Sequence, residues 1–158
     1  MKPTTAPSAL RVQAALGDEF EVLEFEESTR TAADAAVAIG CTVAQIAKSM
    51  IFCAAESDRP VLVIASGAVR VDVKKVAALL GEDVKRASPE FVRENTGFAI
   101  GGVPPVGHHV EPVVLIDESL FDLECIWAAA GTPNAVFRLL PDDLSRLTTG
   151  VVADVAAS

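Results

Sequence analysis

The strongest constraint on this chain is a stretch that resists regular secondary structure. Residues 96–109 read Thr-Gly-Phe-Ala-Ile-Gly-Gly-Val-Pro-Pro-Val-Gly-His-His. Four glycines (Gly97, Gly101, Gly102, Gly107), two prolines (Pro104, Pro105) and two histidines crowd into it. Paired prolines fix φ and remove two backbone donors, so the loop is stiff. The Gly101-Gly102 pair lets a backbone approach a ligand closely, because no Cβ intervenes. A stiff loop with bare N–H groups suits recognition of a carbonyl or phosphate oxygen. An ordinary turn between two strands would have the same composition.

The loop divides the chain into two kinds of pattern. Before it, helix-like and strand-like pieces alternate. Residues 8–16 form a modest apolar helix face closed by Gly17, and residues 21–25 suit a strand. Thr31 with Asp34 resembles a capping box for an alanine-rich helix to Ile39, stopped by Gly40. Thr42 with Gln45 repeats the pattern and predicts a short helix through Ala44, Ile46 and Ala47 to Lys48. Residues 50–55 and 61–65 read as a hairpin. Val61-Leu-Val-Ile is apolar at every position, as in a strand covered on both faces. Asp72 and Gly81 bracket a helix whose Lys74 and Lys75 face water, and Ser88-Pro89 opens another. After the loop, residues 113–117, 123–129 and 135–139 suit strands. Gly131-Thr-Pro-Asn134 is a turn. Residues 141–147 form a short helix, and residues 151–155 a last strand. The expected architecture is one mixed α/β domain over residues 1–158, a mostly antiparallel or mixed sheet flanked by helices.

Composition narrows the function. The 158 residues suffice for a single core. No apolar run approaches a membrane span, and the N-terminus shows no signal core, so a cytoplasmic location is expected. Cys41, Cys53 and Cys125 lack metal or disulfide spacing and read as buried free thiols. A net charge of −9 argues against a general nucleic-acid binder, DNA included. The charge is uneven, however. Residues 69–93 carry six basic residues (Arg70, Lys74, Lys75, Lys85, Arg86, Arg93) against four acidic ones. Such a patch either binds phosphates in a salt-sensitive way or is a solvated face.

Few side chains suggest chemistry directly. Lys48 meets an apolar strand and is either a snorkelling surface residue or a cation placed beside a pocket. Adjacent His108 and His109 would point to opposite faces of a strand, and no third ligand with metal spacing accompanies them. Asp117 and Glu118 end a strand and offer a carboxylate. No serine sits in a nucleophile elbow. The double glycine forms neither a P-loop nor a dinucleotide fingerprint.

Several pieces occur together in a familiar order. They are Thr31-Ala-Ala-Asp, Gln45-Ile-Ala-Lys-Ser-Met-Ile-Phe52, the hairpin, Val71-Asp-Val-Lys-Lys75, Gly101-Gly-Val-Pro-Pro-Val-Gly107, Val114-Leu-Ile-Asp117, Ala130-Gly131 and Pro141-Asp-Asp-Leu144. From about residue 21 onward the chain resembles the YbaK/EbsC family, free-standing relatives of the editing domain of bacterial prolyl-tRNA synthetases. The resemblance implies a closed-up mixed α/β fold. It also implies trans-editing hydrolysis of the ester of a mischarged tRNA, tRNA for proline carrying alanine, cysteine or a similar small amino acid. No metal or organic cofactor is implied. Mischarged tRNA is the implied partner, prolyl-tRNA synthetase a further one, and no membrane is involved.

By the same resemblance Lys48, Gly101 and Gly102 are the candidate catalytic residues. Lys48 would anchor the tRNA 3′ end, and the glycine amides would hold the aminoacyl carbonyl. Thr31 matches a pocket-wall position, and Ser49 stands where other members have threonine or asparagine. Pro104 and His108 on the loop complete the candidate substrate contacts. Ala129 replaces a serine of many members, so that contact does not carry over. The alternative is a non-catalytic protein that holds tRNA ends or a synthetase with the same pocket.

Overall fold

The computed structural model describes residues 1–26 and 31–158. Its centre is a hairpin of β3 (Ile46–Ala54) and β4 (Pro60–Ser66), paired antiparallel from Ala47↔Ser66 to Cys53↔Pro60. Beyond β4 lie β6 (Val113–Asp117) and β9 (Val151–Ala153), both parallel to their neighbours. Beyond β3 lie β7 (Ile126–Ala129), β8 (Ala135–Leu139), β2 (Val22–Glu24) and β1 (Lys2–Pro3). The β3–β7 contact is parallel, and the three pairings beyond it are antiparallel. Strand β5 (Val84–Arg86) adds to β3 antiparallel. The fold is thus the expected mixed sheet with helices around it.

The apolar pattern explains the layering. Along β4, Leu62 and Ile64 enter one core cluster while Val61, Val63 and Ala65 enter another, so both faces of the strand are covered. The first cluster takes Val12 and Leu16 of α1 (Pro7–Leu16), Val92 of α4 (Pro89–Thr96) and Leu144 of α5 (Pro141–Leu147). The second takes Val76 of α3 (Val73–Leu80). A smaller cluster joins Ala35 and Ala36 of α2 (Ala32–Ile39) to Ile46. No helix among the described residues is long and apolar enough to cross a membrane.

Local signals place most ends correctly. Thr31 accepts the Asp34 N–H, Asp72 the Lys74 N–H and Ser88 the Phe91 N–H, all as N-caps. Four expectations need correction. The helix expected from Thr42 to Lys48 is only a 3-10 turn at Val43–Gln45, and β3 begins at Ile46. A capping box marks where a turn starts, not how long it runs. Here the Gly67 N–H takes the Ile46 carbonyl (2.7 Å), and Ile46 and Ala47 pair with Trp127 and Ala128. Lys75 does not simply face water: its ammonium reaches the Asp154 carboxylate (2.8 Å) and the Ala156 carbonyl (2.7 Å). Of the three free cysteines only Cys53 is buried; Cys41 and Cys125 are half-buried. The strand expected over residues 123–129 is confined to Ile126–Ala129, because a 3-10 turn at Glu118–Asp122 precedes it.

Candidate functional site

The pairing of β3 leaves a gap that makes the site. On its outer edge β3 pairs with β7 only at Ile46 and Ala47, and with β5 only from Phe52 to Ala54. Residues 48–51 lie between these two partners. Peptide groups alternate in direction along a strand. The Ile46 carbonyl is turned toward β4, and the Ile51 carbonyl outward to Ala87 N–H (3.4 Å). The peptide N–H and C=O of Ser49 therefore point into the gap.

A cavity of about 240 Å3 opens at this place. Its walls are Thr31, Ala32 and Ala35 beside α2, Ile46 to Ser49 of β3, Gly101 and Val103 of the loop, Trp127 to Ala129 of β7, Thr132 and Pro133 of the turn, and Ala135 and Val136 of β8. Because it lies at an opening in the sheet, side chains from both faces of β3 reach it. Lys48 comes from one face and Ser49 from the other.

Lys48 is half-buried, and its ammonium donates to the Val69 carbonyl at 2.7 Å. Burial pushes its pKa below the ordinary lysine value, and the nearby Asp117 carboxylate opposes that shift. Asp117 itself is buried and occupied. It accepts Ser66 N–H (3.0 Å), Ser119 N–H (2.9 Å) and the Ser119 hydroxyl (2.8 Å), so it ties β4 to β6. The Ser49 hydroxyl oxygen is sealed from solvent with no hydrogen-bond partner among the described residues.

The two glycines of the loop differ in place. Gly101 has φ +96° and lines the cavity, and its N–H has no acceptor among the described residues. Gly102 is buried behind it. Its N–H donates to Ala99 (3.1 Å), and its carbonyl accepts Gly131 N–H (2.8 Å). A Cβ there would lie 2.9 Å from backbone atoms of Gly131 and Thr132. Gly102 thus lets the loop touch the turn after β7, while the exposed amide is that of Gly101.

Pro104 and His108 do not line this cavity. His108 Nε2 donates to the Pro104 carbonyl at 2.7 Å, which leaves a buried Nδ1 unpartnered among the described residues. Burial pushes this imidazole below its ordinary pKa, the bond to Pro104 opposes the shift, and His109 adds to it. Sequence reasoning missed Trp127, the chain's single tryptophan, together with Thr132 and Pro133. The signal was a large aromatic in a strand followed directly by small residues. Among the described residues no group of three His, Cys, Asp or Glu could hold a metal ion.

Comparisons with known proteins place the chain in a family and a fold. A family model described as an aminoacyl-tRNA editing domain matches residues 26–147. The uncharacterized protein YwhH of Bacillus subtilis (strain 168) is 38% identical over 130 residues, covering 82% of each chain. The crystal structure of a candidate trans-editing enzyme for prolyl tRNA synthetase matches with a TM-score of 0.92 and 45% identity, over 98% of this chain and 100% of that one. That of the hypothetical protein APE2540 matches with a TM-score of 0.82 and 29% identity, over 92% of this chain and 96% of the other.

Proposed function

The chain belongs to the aminoacyl-tRNA editing-domain family, and we propose that it hydrolyses the ester holding a wrongly attached small amino acid on tRNA, with tRNA for proline as the principal carrier. The observation that carries this reading is the shared cavity: Lys48 and Gly101 line one small, largely apolar chamber. The aminoacyl group enters that chamber, and its carbonyl oxygen faces Gly101 N–H. Water attacks the carbonyl carbon, and negative charge develops on the oxygen that the amide already faces. The ester C–O bond breaks, and the ribose oxygen leaves with a proton. Lys48 holds the terminal nucleotide from the side of Val69, so the ester is presented in one orientation.

The chamber selects by size. A volume of about 240 Å3 shared with the ester leaves little room for a large side chain, and rejection of oversize groups is the strong direction of a second sieve. Thr31 and Ser49 bound the chamber as candidate substrate contacts. Gly102 acts through position, by docking the loop on Gly131. Prolyl-tRNA synthetase is the proposed partner that supplies the mischarged tRNA, in keeping with the candidate trans-editing enzyme that this chain resembles.

One observation favours a second reading, a protein that holds tRNA ends without turnover. Among the described residues no carboxylate or imidazole lines the chamber, and with those walls alone a proton acceptor would come from the substrate or from water. Ester loss from tRNA for proline charged with alanine, cysteine or serine separates the two. We expect at least one of these esters to be cleaved well above its rate in buffer. Lys48→Ala should lower kcat/KM by about 100-fold with the fold retained. Saturable binding with every ester left intact would establish the second reading instead.

A further inference from the structure

A second cavity adjoins the first, and the two share Lys48. It measures about 490 Å3, within the size range of small-ligand sites. Its floor is one face of β3. Lys48, Met50 and Phe52 alternate onto that face, and Arg86 lies directly across from Phe52 in the β3–β5 register, so it shares the face. The opposite wall is the loop after β4, with Val69 and Arg70. From Lys48 to the Phe52–Arg86 row the strand runs about 13 Å. The result is a trough with Lys48 at the chamber end, Arg86 at the far end of the floor and Arg70 on the opposite wall.

The arginines are free for a ligand. Both are exposed, and neither side chain makes an ion pair or hydrogen bond among the described residues. The other basic residues of the same segment are disposed differently. Lys74 lies on α3 outside the lining of the trough, Lys75 is held by Asp154, Lys85 pairs with Cys53 and so faces the opposite side of the sheet, and Arg93 lies on α4 beside Glu90 and Glu94. On a chain of net charge −9, two unpaired guanidinium groups bordering one trough make a local anion site. Guanidinium matches phosphate in bidentate fashion.

We propose that this trough is the seat of the single-stranded 3′ end of the RNA. Arg70 and Arg86 would clasp the phosphodiesters that lead to the nucleotide held at Lys48. The assignment rests on the deacylase reading for its ligand but makes a separate claim, that affinity for the RNA backbone resides in these two arginines. Half-buried Met50 on the floor favours an unpaired nucleotide over a duplex, whose paired bases could not reach it, while Phe52 is itself packed into the second core.

The test is binding, read apart from turnover. A short fluorescent single-stranded RNA ending in the CCA of tRNA is titrated with the wild type and with Arg70→Gln, Arg86→Gln and the double variant. Arg59→Gln, the same charge change at the far turn of the hairpin, is the control. The double variant should bind at least about tenfold more weakly. Its log–log salt dependence should flatten by about 1.4, the loss of two single-strand phosphate contacts. On a mischarged tRNA it should raise KM and spare kcat. Affinity and salt slope equal to those of Arg59→Gln would overturn the proposal, whether or not the wild type cleaves esters. A wild type that cleaves no ester, with binding still weakened in the double variant, would sink the deacylase reading and leave the RNA seat standing.

Discussion

Ser49 shows what a single residue reveals about this site. Its hydroxyl oxygen is sealed from water and unpaired among the described residues. Burying a hydroxyl without a partner costs free energy, because its hydrogen bonds to water are lost and not replaced. Ser49→Ala is therefore expected to stabilise the unliganded protein by about 1 kcal/mol. Urea denaturation followed by circular dichroism measures this, and a loss of stability would show that the hydroxyl is satisfied after all. The glycine pair carries a related lesson. In the sequence Gly101 and Gly102 look equivalent, yet one presents an amide to the cavity and the other spends its amide on Ala99. Their difference comes from φ +96° at Gly101 and from the backbone crowding at Gly102.

At the scale of elements, the site depends on how the loop of residues 97–112 is fastened to the sheet. Gly131 N–H holds it at Gly102, and His108 holds its own segment through the Pro104 carbonyl. The second fastening is pH-sensitive. Burial keeps the folded imidazole neutral to a lower pH than the ordinary value of 6.5. As pH falls below 6.5, the unfolded chain takes up a proton that the folded chain refuses, so acidification favours unfolding. This contribution is fully present above the unfolded value and fades between it and the lowered folded value. Melting temperatures between about pH 7 and 5 should fall for the wild type. His108→Gln, which keeps a donor for Pro104 but cannot titrate, should flatten that fall. An equal slope in both proteins would remove His108 as its origin.

Across the whole molecule, a strand covered on both faces makes the sheet the common support of every cavity wall. Leu62 and Val63 are both fully buried and belong to different core clusters. Leu62→Ala should cost about 2–5 kcal/mol. Val63→Ala should cost less, because it removes two carbon atoms rather than three. Chemical denaturation of both variants checks that the two layers are each needed; a negligible effect of either would mean that one layer is dispensable. The sequence by itself determined the strands and helices whose signals are local: the apolar run of β4, the caps at Thr31, Asp72 and Ser88, the turn at residues 131–134, and the stiffness of the glycine–proline loop. It also marked Lys48 and the glycine pair, through motif order. Only the tertiary structure decided that β3 starts at Ile46, because strand pairing with β7 outweighs a capping signal that ends within one turn. Only it opened the gap between β7 and β5, a property of two partners far apart in the chain. That gap brings Trp127, Ser49 and Gly101 around one chamber, leaves His108 and Pro104 outside it, and sets Arg70 and Arg86 along the trough beside Lys48.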